Sequence, residues 1–207
     1  HALSAPALVL ATGNPHKVDE YRDLFPMLPI RPISDFPGFE DVVEDAPDFE
    51  GNAILKAVAA HRHTGHVAIA DDSGLAVNAL NGAPGVYSAR YAPGTDADRM
   101  AKLLRALPTD AERSAYFVCT IAIAGLPKGL TLPAGLIERD GCIVGRGEVH
   151  GQIAHAPRGD QGFGYDPIFL RPDGRTLGEY SAAEKHAISH RGDAARIVSP
   201  FVAQLVA

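Results

Sequence analysis

Leu8-Val9-Leu10-Ala11-Thr12-Gly13-Asn14-Pro15-His16-Lys17 opens as an apolar run and changes character within two residues. Four strand-like residues give way to Thr, Gly, Asn, Pro and Lys, and then Val18, Tyr21, Leu24 and Phe25 recur at helical spacing. Asn14 is placed to cap that helix, and Pro15 sits at its first position, where a missing N–H costs nothing. A strand that passes directly into a helix points to an α/β fold. The turn admits two readings: a capped chain reversal, or a set of backbone amides, a hydroxyl and an ammonium presented to an anion. It is not a P-loop, because G-x-x-x-x-G-K-[ST] is absent from the chain.

Working outward, 207 residues are enough for one well-buried domain or two closely packed lobes. With 46% apolar and 21% charged residues, the composition is that of an ordinary globule. Apolar runs such as Val67–Ala70 and Phe117–Ala124 are too short to span a bilayer, so no membrane partner is expected. The beginning His-Ala-Leu-Ser-Ala-Pro lacks a basic region and a long apolar one. Residues 1–6 read as a flexible terminus or tag remnant, not a signal peptide. Cys119 and Cys142 read as buried thiols of a cytoplasmic protein. A net charge of −6 disfavours a nucleic-acid partner, whose backbone needs Lys and Arg, but leaves room for a small polyanion in a locally cationic pocket.

The chain shows no repeat and no linker, which predicts a single domain over 1–207, α/β in class with a mixed sheet. After the strand Ala7–Ala11 and the helix from Pro15 comes an acidic, Pro-rich loop to Pro47. Asp48 can cap a helix running to about His63, closed by Gly65. Val67–Ala70 reads as a short strand ending at Asp71. A helix is expected near Asp98–Leu107, and strands at Arg113–Ala124 and Gly141–His150, paired as a hairpin. A further short strand is expected at Ile168–Leu170. Ser181-Ala-Ala-Glu184 is a capping box opening a last helical region that Gly192 and Pro200 interrupt.

Several clusters could carry chemistry. Asp71-Asp72-Ser73-Gly74 follows an apolar strand, at the end of a sheet where α/β crevices open. Neighbours on an extended chain face opposite ways, so the two carboxylates have different tasks. One of them can hold a metal or activate water. Glu44, in the acidic run Glu40–Asp45, can complete an oxygen-ligand site with Asp72, or belong to a solvated surface. Lys56 lies on an amphipathic turn. Gly162-Phe163-Gly164-Tyr165-Asp166 sets two aromatics among glycines, a tight turn or a platform for a flat ligand. Lys185, His190 and Arg191 crowd donors near the last helix. No H-E-x-x-H or Cys/His cluster suggests zinc.

Taken in order, Thr-Gly-Asn-x-x-Lys, Asn-Ala-x-x-Lys-Ala, Ala-Asp-Asp-Ser-Gly-Leu, Gly-Val-Tyr-Ser-Ala-Arg-Tyr, Gly-Phe-Gly-Tyr-Asp-Pro-Ile-Phe and Ser-His-Arg-Gly resemble the non-canonical purine nucleoside triphosphate pyrophosphatases. These are the inosine/xanthosine triphosphate pyrophosphatases, or dITP/XTP diphosphatases, and the likeness runs from Leu8 to Arg196. It implies an elongated mixed β-sheet flanked by helices, two-lobed, with the active site in the cleft between lobes, and a homodimer. It implies hydrolysis of ITP, dITP or XTP to the monophosphate and pyrophosphate, with Mg²⁺ as cofactor. Thr12, Gly13, Asn14 and Lys17 would hold the triphosphate, with Pro15 and His16 lining that loop and Lys56 adding charge. Asp72 would activate water and contact the metal, with Glu44 as second ligand. Asp71 would support the site and Ser73 contact substrate. Phe163, Gly164, Tyr165 and Asp166 would form the base pocket, with Lys185, His190 and Arg191 reading the 6-keto edge.

Two departures stand out. Gly51 occupies a position where many relatives carry a second Glu, and His150 falls in a stretch where a Trp is expected; the chain has no Trp. The latter change is expected to alter packing near the base pocket. Rival readings are a Maf-like pyrophosphatase for other modified bases, a nucleotide-binding protein without turnover, and a nucleic-acid-binding module.

Overall fold

The computed structural model describes residues 8–127, 129–188 and 190–204. The terminus 1–6 and Ser189 of the Ser-His-Arg-Gly motif lie outside them. Seven strands form one mixed sheet: β1 (Leu8–Leu10), β2 (Ile30–Pro32), β3 (Val67–Val77), β4 (Ser114–Ala124), β5 (Ile137–Arg139), β6 (Cys142–Ile153) and β7 (Phe169–Leu170). Their order is β2-β1-β3-β4-β6-β5, and β7 also pairs with β6. β1 runs parallel to β2 and to β3, with Leu8 opposite Ile30 and Val67. β5 and β7 are antiparallel to β6. The helices are α1 (Pro15–Leu24), α2 (Phe49–Thr64), α3 (Asp96–Ala106), α4 (Ala182–Ala187) and α5 (His190–Gln204). None of the described helices is long and apolar enough to cross a membrane.

Helix starts follow local chemistry. Asn14 Oδ1 accepts from the His16 amide at 3.0 Å, and Asp48 Oδ1 from the Gly51 amide at 2.7 Å. Thr95 with Asp98, and Ser181 with Glu184, form reciprocal capping boxes. Gly65 ends α2 in the left-handed region at φ 72°.

Several expectations are corrected. β3 does not stop at Ala70 but continues through Asp71-Asp72-Ser73-Gly74 to Val77. Turn-forming residue types are carried in a strand because Leu75, Ala76 and Val77 are buried beyond them. The strands expected at 113–124 and 141–150 do pair, as β4 and β6, but they are not consecutive; the tight hairpin is β5–β6, turning at Asp140-Gly141 with φ values of 52° and 76°. α5 runs through both Gly192 and Pro200, because the packing of Ala194, Ala195, Val198, Phe201 and Val202, all buried, outweighs the local cost.

The chain divides into two compact units. Of the described residues, the first comprises those within 8–72, 120–147 and 194–204; the second comprises those within 73–119 and 148–193. In the first, α2 lays Ala53, Ala57 and Ala60, all fully buried, on Ala68 and Ala70 of β3 and Val9 of β1. Small side chains on both partners let the helix approach the sheet closely. In the second, Leu75, Val77, Leu103, Phe117, Val149 and Phe169 form one cluster, with the Phe117 and Phe169 rings 4.5 Å apart. Cys119 and Cys142 are both buried, and burial pushes the Cys142 thiol up to about 11.

Candidate active site

In the first unit, the β1–α1 turn, the loop before α2, α2 itself and β3 surround a polar cavity of about 310 Å³. Thr12, Lys17, Glu44, Lys56 and Asp71 are among its walls. Asp71 is only 4% exposed, and both of its oxygens are engaged from α1. Lys17 Nζ lies 2.7 Å from Oδ1, and the Tyr21 hydroxyl donates to Oδ2 at 2.6 Å. The carboxylate therefore fixes the ammonium in place at the cavity wall. Opposite it, Lys56 Nζ stands 2.9 Å from Glu44 Oε1. Burial works against the Lys56 charge, but the nearby Asp71, Glu44 and Asp72 outweigh it and hold its pKa above the ordinary lysine value. Lys56 thus stays charged throughout the neutral range.

Alternation along β3 separates the two aspartates. Ala68 and Ala70 pack against α2, so Asp72 falls on that face, whereas Asp71 reaches α1. Of the β1–α1 turn, Thr12 and Lys17 line the cavity; Gly13, Asn14, Pro15 and His16 are exposed beside it. Asn14 binds the turn internally, its amide donating to Thr12 Oγ1 at 3.2 Å. Among the described residues no three potential ligands cluster as a ready metal cage. The donor set is nevertheless suited to a hard cation that takes one or two carboxylates and completes its shell with phosphate oxygens and water.

The second unit holds a cavity of about 240 Å³. Ser73, Phe163, Gly164, Tyr165, Asp166 and Lys185 stand in its walls, and His190 and Arg191 join them from the first turn of α5. Phe163 is 71% exposed, with Lys185 Nζ 4.3 Å from its ring centroid. Asp166, buried, accepts from the Phe163 amide at 3.0 Å and pairs with Lys185. Its carboxylate therefore organises the loop and the lysine. Gly162 makes this possible: at φ 73° any Cβ there would stand 2.1 Å from Asp166 Oδ2. The Tyr165 hydroxyl donates to the Ser88 carbonyl at 2.7 Å, and burial raises its pKa to about 12, so it remains a neutral donor. His190 stacks on Phe117 at 5.5 Å.

The walls also include residues to which the sequence assigns no role, among them Ser88, Asp96, Arg99 and Phe117. Ser88 lay within the Gly-Val-Tyr-Ser motif without a role; its hydroxyl accepts from the Leu75 amide at 2.9 Å and donates to the Gly85 carbonyl. Asp96 accepts from the Gly164 amide at 2.8 Å and from Arg99 at 2.9 Å, bonds that hold its pKa below the usual carboxylate range. Only an i, i+3 charge pair marked it in sequence. His150 lies outside this cavity; it is exposed, stacked on Tyr116 and paired with Glu148 at 2.9 Å. The expected effect on base-pocket packing is therefore not found.

In sequence and in fold the chain is similar to known proteins. Residues 8–201 fit the sequence model of the Ham1 family. A dITP/XTP pyrophosphatase of Synechocystis sp. is 45% identical over 190 residues, covering 91% of each chain. One from Yersinia pestis is 46% identical over 198 residues, covering 92% of this chain and 95% of its own. The solved structure of the Staphylococcus aureus Ham1 protein superposes with a TM-score of 0.85 at 39% identity, covering 96% of this chain and 98% of that one. Likeness at this level, in sequence over nine-tenths of the chain and in fold as well, places the protein in the Ham1 family.

Proposed function

We propose that this protein hydrolyses non-canonical purine nucleoside triphosphates, of the ITP, dITP and XTP kind, to the monophosphate and pyrophosphate. One observation carries the reading most directly: two lysines, each held by a carboxylate at 2.7–2.9 Å, face one polar cavity of triphosphate chemistry. Thr12, the Gly13–His16 turn, Lys17 and Lys56 take the phosphates. Asp72 accepts the proton of the attacking water, which adds at the α-phosphorus while pyrophosphate leaves. Asp71 keeps Lys17 extended toward the phosphates. Most of the acceleration comes from positioning and from fixed positive charge on the developing negative charge.

Glu44 and Asp72 are the residues suited to hold Mg²⁺. When bound, the ion would neutralise phosphate charge and orient the oxygens. Phe163 and Tyr165 flank the base, and Lys185, His190 and Arg191 donate to its 6-keto oxygen. Adenine's 6-amino group meets those donors badly, which leaves each unpaired at a cost of ~1–3 kcal/mol. A homodimer, a single functional domain and a cytoplasmic location belong to the same proposal.

A product assay with ITP, XTP, GTP, ATP and dTTP tests it, reading phosphate with and without added inorganic pyrophosphatase. Signal chiefly from ITP and XTP, and only with the coupling enzyme, is expected. Phosphate released without coupling would mean cleavage elsewhere and would overturn the reading.

A further inference from the structure

The helix α2 presents a polar stripe beside its alanines. At about 100° per residue, positions four and eleven beyond Asn52 are turned only about 40° and 20° from it, so Asn52, Lys56 and His63 share a face. All three reach one stretch, residues 36–46, which contains no helix or strand. Asn52 is 1% exposed, and its Oδ1 accepts from the Ala46 amide at 3.0 Å. Lys56 holds Glu44 itself. His63 Nε2 is 3.1 Å from the Phe36 carbonyl and 3.0 Å from that of Pro37, so this nitrogen carries the proton and donates to both. The His63 ring also lies 5.5 Å from that of Phe39.

Asn52 is not needed to cap its own helix, because Asp48 already accepts from the Gly51 amide. Its buried amide serves the loop instead. Gly51 supplies the clearance: a Cβ there would stand 2.7 Å from Ala46 Cβ and 2.8 Å from Asp48 Oδ1. Gly51 thus leaves room for Ala46 and Asp48 against the first turn of α2.

We propose that Asn52 and His63 are positioning residues for the acidic loop, holding residues 36–46 along α2 so that Glu44 meets Lys56 at the phosphate cavity. The proposal rests on the reading of Glu44 as a metal ligand. Neither residue need touch substrate.

The test combines amide hydrogen exchange of the free protein with Mg²⁺ titration of ITP turnover. His63 is exposed, so His63→Ala leaves the core intact; Asn52→Ala removes the buried acceptor, and Asn52→Asp restores it. Expected are faster exchange confined to residues 36–46 in both alanine variants, and a half-saturating Mg²⁺ concentration raised about fivefold, as for one lost hydrogen bond. Asn52→Asp should return exchange toward the parent rate. Unchanged loop exchange in both alanine variants overturns the proposal. So does faster exchange with unchanged Mg²⁺ dependence, provided Glu44→Gln shifts that dependence. If Glu44→Gln shifts nothing, the ligand reading of Glu44 falls and takes this proposal with it.

Discussion

Adjacent carboxylates on one strand turn to opposite faces and so meet different neighbours. Both oxygens of Asp71 accept from α1, Oδ1 from Lys17 and Oδ2 from Tyr21, which suits it to holding the lysine in place. Asp72 falls on the other face, and we propose it as the general base. Asp72→Asn is expected to lower kcat by about 10²–10⁴-fold, the usual worth of a positioned general base, with the thermal midpoint unchanged. Near-normal single-turnover rates would remove Asp72 from the mechanism. Lys17→Ala should act mainly on KM for ITP, and it also strands the buried Asp71 beside Tyr21. Steady-state kinetics would show a raised KM, and an unchanged one would count against the phosphate grip.

Among the elements, those with chemical punctuation at both ends were readable from the sequence. Asp48 and Gly65 bracket α2 as expected, and the Ser181–Glu184 box opens α4. β2 and β5, three residues each, carry too little pattern to register. Asp-Asp-Ser-Gly reads locally as a turn, whereas in the fold β3 outruns its pairing with β1, which ends at Ile69, and continues beside β4 to the buried Leu75–Val77. The same contrast holds for the sites. Motif residues such as Lys17, Lys56, Phe163 and Lys185 could be named in advance, but Asp96 and Arg99 could not. Their part is to brace a loop nearly seventy residues downstream, and no local spacing encodes that. The Phe163 loop itself depends on Gly162. Gly162→Ala should push Asp166 off the Phe163 amide, raise KM for ITP more than it lowers kcat, and cost about 1–3 kcal/mol from the positive φ. For a chain of this size that is a fall of roughly 2–4 °C per kcal/mol in a thermal melt.

Across the whole molecule, each compact unit keeps its own chemistry: fixed charge in the first, aromatic and donor groups in the second. Each also buries a weak acid whose folded pKa is strongly raised, Cys142 to about 11 and Tyr165 to about 12. Below about pH 7.5 both groups are neutral, folded or unfolded, and stability is flat with respect to them. Above that, the unfolded chain ionises first and binds fewer protons, so stability falls as pH rises through the folded values. Two shifts of about two units correspond to about 2–3 kcal/mol each. Urea melts at pH 7.5, 9 and 10.5 should show a midpoint dropping progressively, and Cys142→Ala should flatten the first part of the drop. The loop on α2 has a consequence of another kind. Asn52 and His63 grip it by main-chain atoms, the Ala46 amide and the Phe36 and Pro37 carbonyls, which every residue other than proline at 46 supplies equally. Glu44 apart, such a grip asks little of the side chains at residues 40–45. Evolution can therefore rewrite most of residues 40–45 in length-preserving steps, tuning the charge that greets an incoming nucleotide, without releasing the strap that carries Glu44.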